Sequence, residues 1–326
     1  MKTAIFYLTQ NTEVRRTHLK TSLYFLFKHF NAKYRHPVII LHEGDYDFKA
    51  QEDILFSVRE SCRSLVSFVT LDPDDFKLPD HIDRRKMENC IALKCTPYWR
   101  SDKYRMMCRW WLVHFPKYAA GYDYVMRLDD DSIIEEPLNY DLFEWFEKNN
   151  LDYASNMLHS DCGICCYGMK QFFEDRYPNK KELLGSMFNA QEMNMLAVQM
   201  HPFRCLLSIM HAPDQMPKFD KSITLWSPLM YYNNFFITRT SFWEKPAVKA
   251  SVDAIDKNGS IFYYRWGDAP LQTLLVMMHT EDQTRIKRAV FKYSKRMQRE
   301  AFAGDDGELH SYMPATYDKS SCMTER

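Results

Sequence analysis

The first part of the chain alternates between short apolar runs and segments with helical periodicity. The apolar runs predict buried strands, and they are TAIFYLT (3–9), PVIILHE (37–43) and LVSFVTL (65–71). Between them, the segment from Glu13 to Phe30 and the region around 50–60 carry apolar residues at helical spacing. Strands that alternate with helices are joined by crossovers, so this pattern predicts an α/β fold with a mostly parallel central sheet flanked by helices.

The rest of the chain continues this alternation after an irregular insertion over 72–100. We predict helices over 102–115, near 167–176, over 181–199 and 241–256, and from the GDAP motif onward, with strands over 122–128, 152–157 and 233–239. No linker rich in glycine or proline interrupts the pattern. We therefore expect a single domain over 1–300, followed by a polar tail over 301–326.

Charge and composition exclude several classes of protein. The 43 basic and 43 acidic side chains give a formal net charge of zero, which argues against nucleic acid as a partner. No stretch of about 18 apolar residues predicts a membrane span, and the N-terminus has no small-residue cleavage site. The nine cysteines are an odd number and suit reduced thiols better than a disulfide framework. We expect a soluble, cytoplasmic protein.

The stretch VMRLDDDS (125–132) places three carboxylates directly after a predicted strand. Ligands of open α/β sheets bind beyond the carboxyl ends of strands, and adjacent carboxylates repel one another unless a cation is present. A strand that ends in Asp-x-Asp is typical of nucleotide-sugar glycosyltransferases of the GT-A type. In those enzymes the carboxylates connect a divalent cation to the donor diphosphate.

Two other interpretations of the acidic triplet stay open. It could form a solvated turn that caps a helix after Ile133. Alternatively, phosphotransferases use Asp-x-Asp after a strand, with the first aspartate attacking phosphorus. Their motif normally lies near the N-terminus, whereas here 128 residues precede it.

Several motifs, in order, resemble glycosyltransferase family 15, the fungal-type α-1,2-mannosyltransferases. They are YRMMCRWW (104–111), YDYVMRLDDDSIIEEPLNYDLFEWF (122–146), YYNNFFI (231–237) and DKNGSIFYYRWGDAP (256–270). The resemblance implies a GT-A-type, Rossmann-like domain that transfers mannose from GDP-mannose to a glycan or glycoprotein acceptor, with retention of configuration and with Mn²⁺ or Mg²⁺. It divides the domain into a nucleotide-binding half (about 1–135) and an acceptor half (about 136–300).

The chain also departs from the family pattern. The family's Glu-Pro-Asp is Asp129-Asp130-Asp131 here, and the family's candidate nucleophile, a glutamate, falls on Phe236. The family's metal-binding histidine has no obvious counterpart, because FKYSKRMQ (291–298) occupies that region. The sequence shows no segment that resembles the anchor and stem of the Golgi enzymes, and we expect a divergent soluble member. Loss of the glutamate leaves a second hypothesis open: a non-catalytic relative that binds nucleotide or sugar.

The resemblance and the strand ends together nominate the site residues. We expect Asp129 and Asp131 to hold the metal, and Asn234 and Asp268 to flank the reacting sugar. The nucleotide-binding candidates are Thr9, Asn11, Tyr104, Arg105 and Asp129.

Structural alternatives accompany some of these candidates. Asn11 and Asp268 could each be a helix N-cap, and Arg109, one helical turn after Arg105, could form a surface ion pair. His279 and His310 are late histidines that could replace the missing metal ligand.

Overall fold

A computed structural model describes residues 1–92, 100–194 and 222–295. The strands of its main sheet are β1 (Thr3–Leu8), β2 (Val38–His42), β3 (Val66–Thr70), β4 (Tyr124–Leu128), β6 (Tyr153–Ser155), β10 (Phe235–Arg239) and β11 (Ile286–Arg288). They lie in the order β11-β6-β10-β4-β1-β2-β3. Only β10 runs antiparallel to its neighbours in this sheet, and the other pairs are parallel. The predicted mostly parallel α/β sheet is confirmed.

Helices cover both faces of the sheet. They are Glu13–Leu26, Ala32–Tyr34, Phe48–Phe56, Glu60–Arg63, Arg84–Ala92, Asp102–Arg109, Phe115–Ala119, Leu142–Lys148, Met169–Arg176, Lys181–Ser186, Thr240–Trp243, Pro246–Asn258, Ser260–Tyr263 and Asp268–His279. Single π-helical turns over Phe27–Asn31 and Trp110–His114 continue the first and sixth of these. The helices predicted over 13–30 and 102–115 are therefore confirmed.

Two hydrophobic cores lie on opposite faces of the sheet. Side chains of a strand alternate between its faces, so Val125 of β4 packs in one core and Met126 in the other. Phe236 and Ile237 of β10 divide in the same way. Because both faces are covered, the central strands are mostly apolar on both sides, which explains the apolar runs in the sequence; Arg127 in β4 is a buried exception.

The prediction of a helix over 181–199 is wrong after Ser186. Residues 188–194 form strand β8 (Phe188–Asn194), which pairs antiparallel with β9 (Ser222–Tyr231) along its full length. Strand β7 (Leu158–Ser160) pairs with the other end of β9. This pairing with distant residues outweighs the local helical pattern. Residues 195–199 and the tail 301–326 lie outside the described residues, and the insertion 72–100 contains the Arg84–Ala92 helix.

A small two-stranded sheet lies beside the end of β4. It pairs β5 (Ser132–Ile134) antiparallel with β12 (Tyr293–Lys295), and Lys295 stands opposite Ser132. The sequence patterns did not predict this sheet. It brings the last described residues next to the acidic triplet.

In the described ranges, no helix combines the length and the apolar character that crossing a membrane requires.

Candidate active site

The acidic triplet forms a turn between β4 and β5. The Ser132 amide donates to the Asp129 carbonyl at 3.0 Å, and the Asp129 amide donates to the Asn234 carbonyl at the same distance. The alternative of a helix cap is wrong, because the residues after the turn are a strand. Within this turn, Asp130 has different partners from Asp129 and Asp131.

Asp129 and Asp131 face the ammonium group of Lys295. Asp129 accepts from Arg127 Nε through Oδ1 (2.8 Å) and from Lys295 Nζ through Oδ2. Burial alone would raise the pKa of Asp129, but Arg127 and Lys295 outweigh burial and lower it. Burial opposes the charge of Lys295 as well, yet Asp129 and Asp131 raise its pKa above the ordinary value. An ion cluster with both charges present therefore occupies the end of β4.

One oxygen of Asp131 is left without a hydrogen bond. Its Oδ1 lies 3.8 Å from Lys295 Nζ, beyond hydrogen-bonding distance, and its side chain is only 9% exposed. Within the described part of the chain, this buried atom has no hydrogen-bond partner. A buried carboxylate oxygen in this state is suited to a cation or to a ligand donor.

Asp130 points away from this cluster. It accepts from Thr9 Oγ1 at 2.7 Å and from Arg15 Nη1 at 2.8 Å, and it is 4% exposed. Burial raises its pKa to about 6, although Arg15 opposes that shift. Asp130 thus ties β4 to the loop after β1 and to the first helix. It also uses the hydroxyl of Thr9.

Arg127 connects Asp129 to Asp268. Its Nη1 donates to Asp268 Oδ2 at 2.6 Å, and its guanidinium lies 4.0 Å from the ring centroid of Trp111. Asn233 Nδ2 donates to the same Asp268 oxygen at 2.9 Å. Asp268 is the first residue of the Asp268–His279 helix, whose N-cap is Gly267, so the N-cap alternative for Asp268 is wrong. The structure brings Asp268 into the same cluster as the triplet.

Asn234 presents an unpaired amide beside the triplet. Its carbonyl accepts from the Asp129 amide and from Ser132 Oγ, which holds its backbone in place. The side chain is 2% exposed, and neither Nδ2 nor Oδ1 has a hydrogen-bond partner among the described residues. Leaving such an amide unsatisfied costs about 1–3 kcal/mol for each buried group, and a hydroxylated ligand would recover that cost.

Phe236 is part of a closed aromatic cluster. Its ring stacks on Tyr153 with centroids 5.4 Å apart and contacts Trp111 and Phe115 edge-on at 6.0 Å. The ring is fully buried. The position at which the resemblance implies a glutamate is therefore apolar core beneath Arg127, whose guanidinium lies 6.0 Å from the ring centroid.

Asn11 organises the loop after β1. Its Nδ2 donates to the Asp45 carbonyl and its Oδ1 accepts from Arg16 Nη1, each at 2.6 Å. The N-cap alternative for Asn11 is wrong, because Thr12 caps the Glu13–Leu26 helix by accepting from the Arg15 amide.

The side chains of the 102–109 helix are engaged inside the fold. Arg105 is buried and donates to the Phe262 carbonyl at 2.8 Å and to the Arg100 carbonyl at 3.4 Å. Tyr104 packs against the core on the same side of the sheet as Phe236. Arg109 forms a bidentate pair with Asp256 at 2.7 and 2.8 Å, which confirms the ion-pair alternative for that residue.

His279 is placed away from the carboxylates. Its Nε2 lies 2.9 Å from both Tyr177 Oη and Ser251 Oγ. Burial, and then the charges of nearby lysine and arginine side chains, lower its pKa to about 4. These contacts occupy Nε2, one of the two ring nitrogens through which a histidine can bind a metal. His310 lies outside the described residues.

The two carboxylates fit a divalent cation that takes its remaining ligands from a diphosphate. Mg²⁺-like cations are commonly held by one or two carboxylates and the phosphates of a substrate. Among the residues that the structure describes, no group of three or more His, Cys, Asp or Glu side chains could hold a metal ion. Asp129 and Asp131 could supply two carboxylate ligands, and a bound diphosphate could supply further ones.

Sequence patterns missed Arg127 and Lys295, the two cations of the cluster. Arg127 could have been found, because it lies two residues before Asp129 and a charge inside a buried strand needs a partner. Nothing local indicates Lys295, which meets Asp129 across 166 residues of chain.

Comparison with known proteins gives a consistent result. The family model for glycolipid 2-alpha-mannosyltransferase matches residues 1–298. The O-glycoside alpha-1,2-mannosyltransferase omh1 of Schizosaccharomyces pombe is 25% identical over 261 residues, which are 78% of this chain and 60% of that protein. The glycolipid 2-alpha-mannosyltransferase of Saccharomyces cerevisiae is 23% identical over 271 residues, 82% of this chain and 54% of that protein. The chain thus spans about half to three fifths of these relatives.

Solved structures share the fold. The mannosyltransferase Ktr4p of S. cerevisiae in complex with GDP has a TM-score of 0.69 at 20% identity, over 100% of this chain and 79% of that one. Core-mannan synthase A of Aspergillus fumigatus, in its Mn/GDP form, has a TM-score of 0.70 at 16% identity, over 100% and 82% of the two chains. At these identities the likeness establishes the fold.

Proposed function

Because the chain belongs to the glycolipid 2-alpha-mannosyltransferase family, we propose that it transfers mannose from GDP-mannose to a hydroxyl group of a glycan or glycoprotein, with Mn²⁺ and with retention of configuration. One observation carries this proposal. At the carboxyl end of β4, Asp131 Oδ1 and the amide of Asn234 are buried polar groups without partners in the described part of the chain. The complexes of related proteins with GDP, and with Mn and GDP, support the nucleotide and the cation.

In this proposal, Asp129 and Asp131 hold the cation. When bound, Mn²⁺ would neutralise the charge that develops on the departing diphosphate. Thr9 and Asn11 shape the loop after β1, where the nucleotide binds beyond the end of a parallel strand. Tyr104 and Arg105 support the nucleotide site from the 102–109 helix. Because Arg105 bonds to backbone carbonyls, it would act through the Phe262 segment without touching the nucleotide.

The sugar would react beside Asn234 and Asp268. The bond between the anomeric carbon and the diphosphate oxygen breaks, and the acceptor oxygen bonds to that carbon on the same face. The acceptor proton passes to the departing phosphate oxygen. Asn234 would bind sugar hydroxyls through its unpaired amide, and Asp268, held by Arg127, would lie beside the reacting hydroxyl as the acceptor-side carboxylate without taking its proton. A front-face route suits a chain whose segment 227–242 contains no carboxylate.

A second candidate function is binding without turnover. It is favoured by Phe236, which fills the position of the family's glutamate with apolar core. Family membership favours both of these functions over the phosphotransferase interpretation.

Both functions can be tested with a panel of nucleotide sugars. The protein is incubated with each donor and Mn²⁺, and nucleotide release and thermal stabilisation are measured in parallel. We expect stabilisation and release with GDP-mannose, and loss of both in Asp131→Asn. Asp123→Asn is the matched control, because Asp123 is an exposed carboxylate just before the other end of β4. Stabilisation without release on any glycan acceptor would favour the binding function.

We also propose a reducing compartment for the protein. The support is that Cys62, Cys108, Cys162 and Cys166 are thiols in the structure.

A further inference from the structure

Lys295 is held at the acidic cluster by backbone pairing. Strand β12 pairs with β5, and its last residue stands opposite Ser132, the residue that follows Asp131. Tyr293, two residues earlier, donates its hydroxyl hydrogen to Ser132 Oγ at 2.6 Å and anchors the same strand. The backbone of Lys295 is thus fixed by the fold, and this places its ammonium group beside the two carboxylates.

The ammonium group of Lys295 takes the position that a shared cation needs. It donates to Asp129 Oδ2 and lies 3.8 Å from Asp131 Oδ1. The other oxygen of Asp129 already accepts from Arg127 at 2.8 Å. A divalent cation that uses both carboxylates would therefore compete with Lys295 for Asp129 Oδ2. The side chain of Lys295 is only 16% exposed, so water screens its attraction to the carboxylates weakly.

We propose that Lys295 is a resident cation of the active site. Its ammonium group compensates Asp129 and Asp131 when no divalent cation is bound, and it competes with the divalent cation for these two carboxylates. When a nucleoside diphosphate binds without a divalent cation, Lys295 supplies positive charge to the phosphates. The competition concerns only the carboxylates, whereas the binding of diphosphate rests on the proposed function.

The competition is tested with Mn²⁺ alone, in the absence of nucleotide. Electron paramagnetic resonance of free Mn²⁺ measures its affinity for the full chain, for Lys295→Met and for Lys292→Met. We expect Lys295→Met to bind Mn²⁺ at least about tenfold more tightly, because unit charges at about 4 Å interact strongly in a partly buried site. Lys292→Met is the matched control, because Lys292 lies three residues away, is exposed, and has Glu135 as its nearest carboxylate partner at 3.9 Å.

A conservative variant separates charge from folding. Lys295→Arg keeps the positive charge, so its Mn²⁺ affinity should stay within about threefold of the parent chain, and thermal unfolding reports whether each variant is folded. Equal Mn²⁺ binding by the parent chain and Lys295→Met, including no detectable binding by either, would overturn the competition. If Lys295→Met does not fold, the Mn²⁺ affinity of Lys295→Gln is measured in its place and is interpreted in the same way.

The binding of diphosphate is tested separately with GDP in EDTA. We expect measurable GDP binding by the parent chain and by Lys295→Arg, and a loss of at least about tenfold in Lys295→Met. Unchanged GDP affinity in Lys295→Met would overturn this part. If GDP fails to bind any variant with or without Mn²⁺, the proposed function fails, while the Mn²⁺ titration still decides the competition.

Discussion

Replacing Arg127 by methionine should destabilise the protein and disable the site together. The guanidinium donates to Asp129 Oδ1 at 2.8 Å and to Asp268 Oδ2 at 2.6 Å, and it is almost fully buried. Methionine fills similar space and leaves one carboxylate, Asp268, without its cation. Removing one partner of a buried ion pair costs about 3–5 kcal/mol, because the remaining charge is desolvated and uncompensated.

This cost converts to a shift of the melting temperature. Unfolding entropy is about 2.1 cal/mol/K per residue, or about 0.7 kcal/mol/K for the 326 residues. A loss of 3–5 kcal/mol then lowers the midpoint by about 4–7 °C, measurable by scanning calorimetry. In Arg127→Met/Asp268→Asn the stranded charge is gone, so we expect the double variant to recover about 2 kcal/mol relative to the sum of the single variants.

Arg109→Met is the control for the role in the site. Arg109 also forms a bidentate pair, with Asp256, but this pair is only partly buried and lies outside the acidic cluster. The Arg109→Met variant should be less stable than the parent chain but should keep its Mn²⁺-dependent GDP binding. Arg127→Met should weaken that binding at least about tenfold. A midpoint shift below about 2 °C for Arg127→Met, or strictly additive losses in the double variant, would refute the reasoning.

Three further predictions concern other parts of the molecule. Because the pKa of His279 is about 4 in the fold and about 6.5 when unfolded, the unfolded chain binds more protons between these values; stability should rise with pH over that range by roughly 1–2 kcal/mol after allowance for solvent screening. Urea unfolding at several pH values should show this slope, and His279→Gln should flatten it. Phe236→Glu should lose at least about 3 kcal/mol, because it puts a carboxyl group into aromatic core, and should not speed transfer. Mass spectrometry with donor but without acceptor should show no sugar adduct on the parent chain or on Phe236→Glu. An adduct on any carboxylate would contradict the front-face route. Thiol titration of unfolded protein without reductant should count at least four free thiols; a lower count would contradict a reducing compartment.

Local sequence patterns determined the layered α/β fold and the place of the site. Apolar runs and helical spacing depend only on neighbours in the chain, so β1 to β4 and the helices over 13–30, around 50–60 and over 102–115 could be predicted directly, whereas the Arg84–Ala92 helix was not. Ligands of open α/β sheets bind beyond the ends of parallel strands, so the three aspartates at the end of β4 indicated the candidate site. The family resemblance added the residues near Asn234 and Asp268, which the structure brings next to the triplet.

Only the tertiary structure decided how the charges are shared. Asp130 looks equivalent to its neighbours in sequence, yet the turn directs it to Thr9 and Arg15. Lys295 reaches Asp129 because β12 pairs with β5, and Arg127 meets Asp268 across 141 residues. The 188–194 strand forms for the same reason, through pairing with β9. Such contacts depend on which distant segments the fold brings together, and the periodicity of one segment carries no information about its partner.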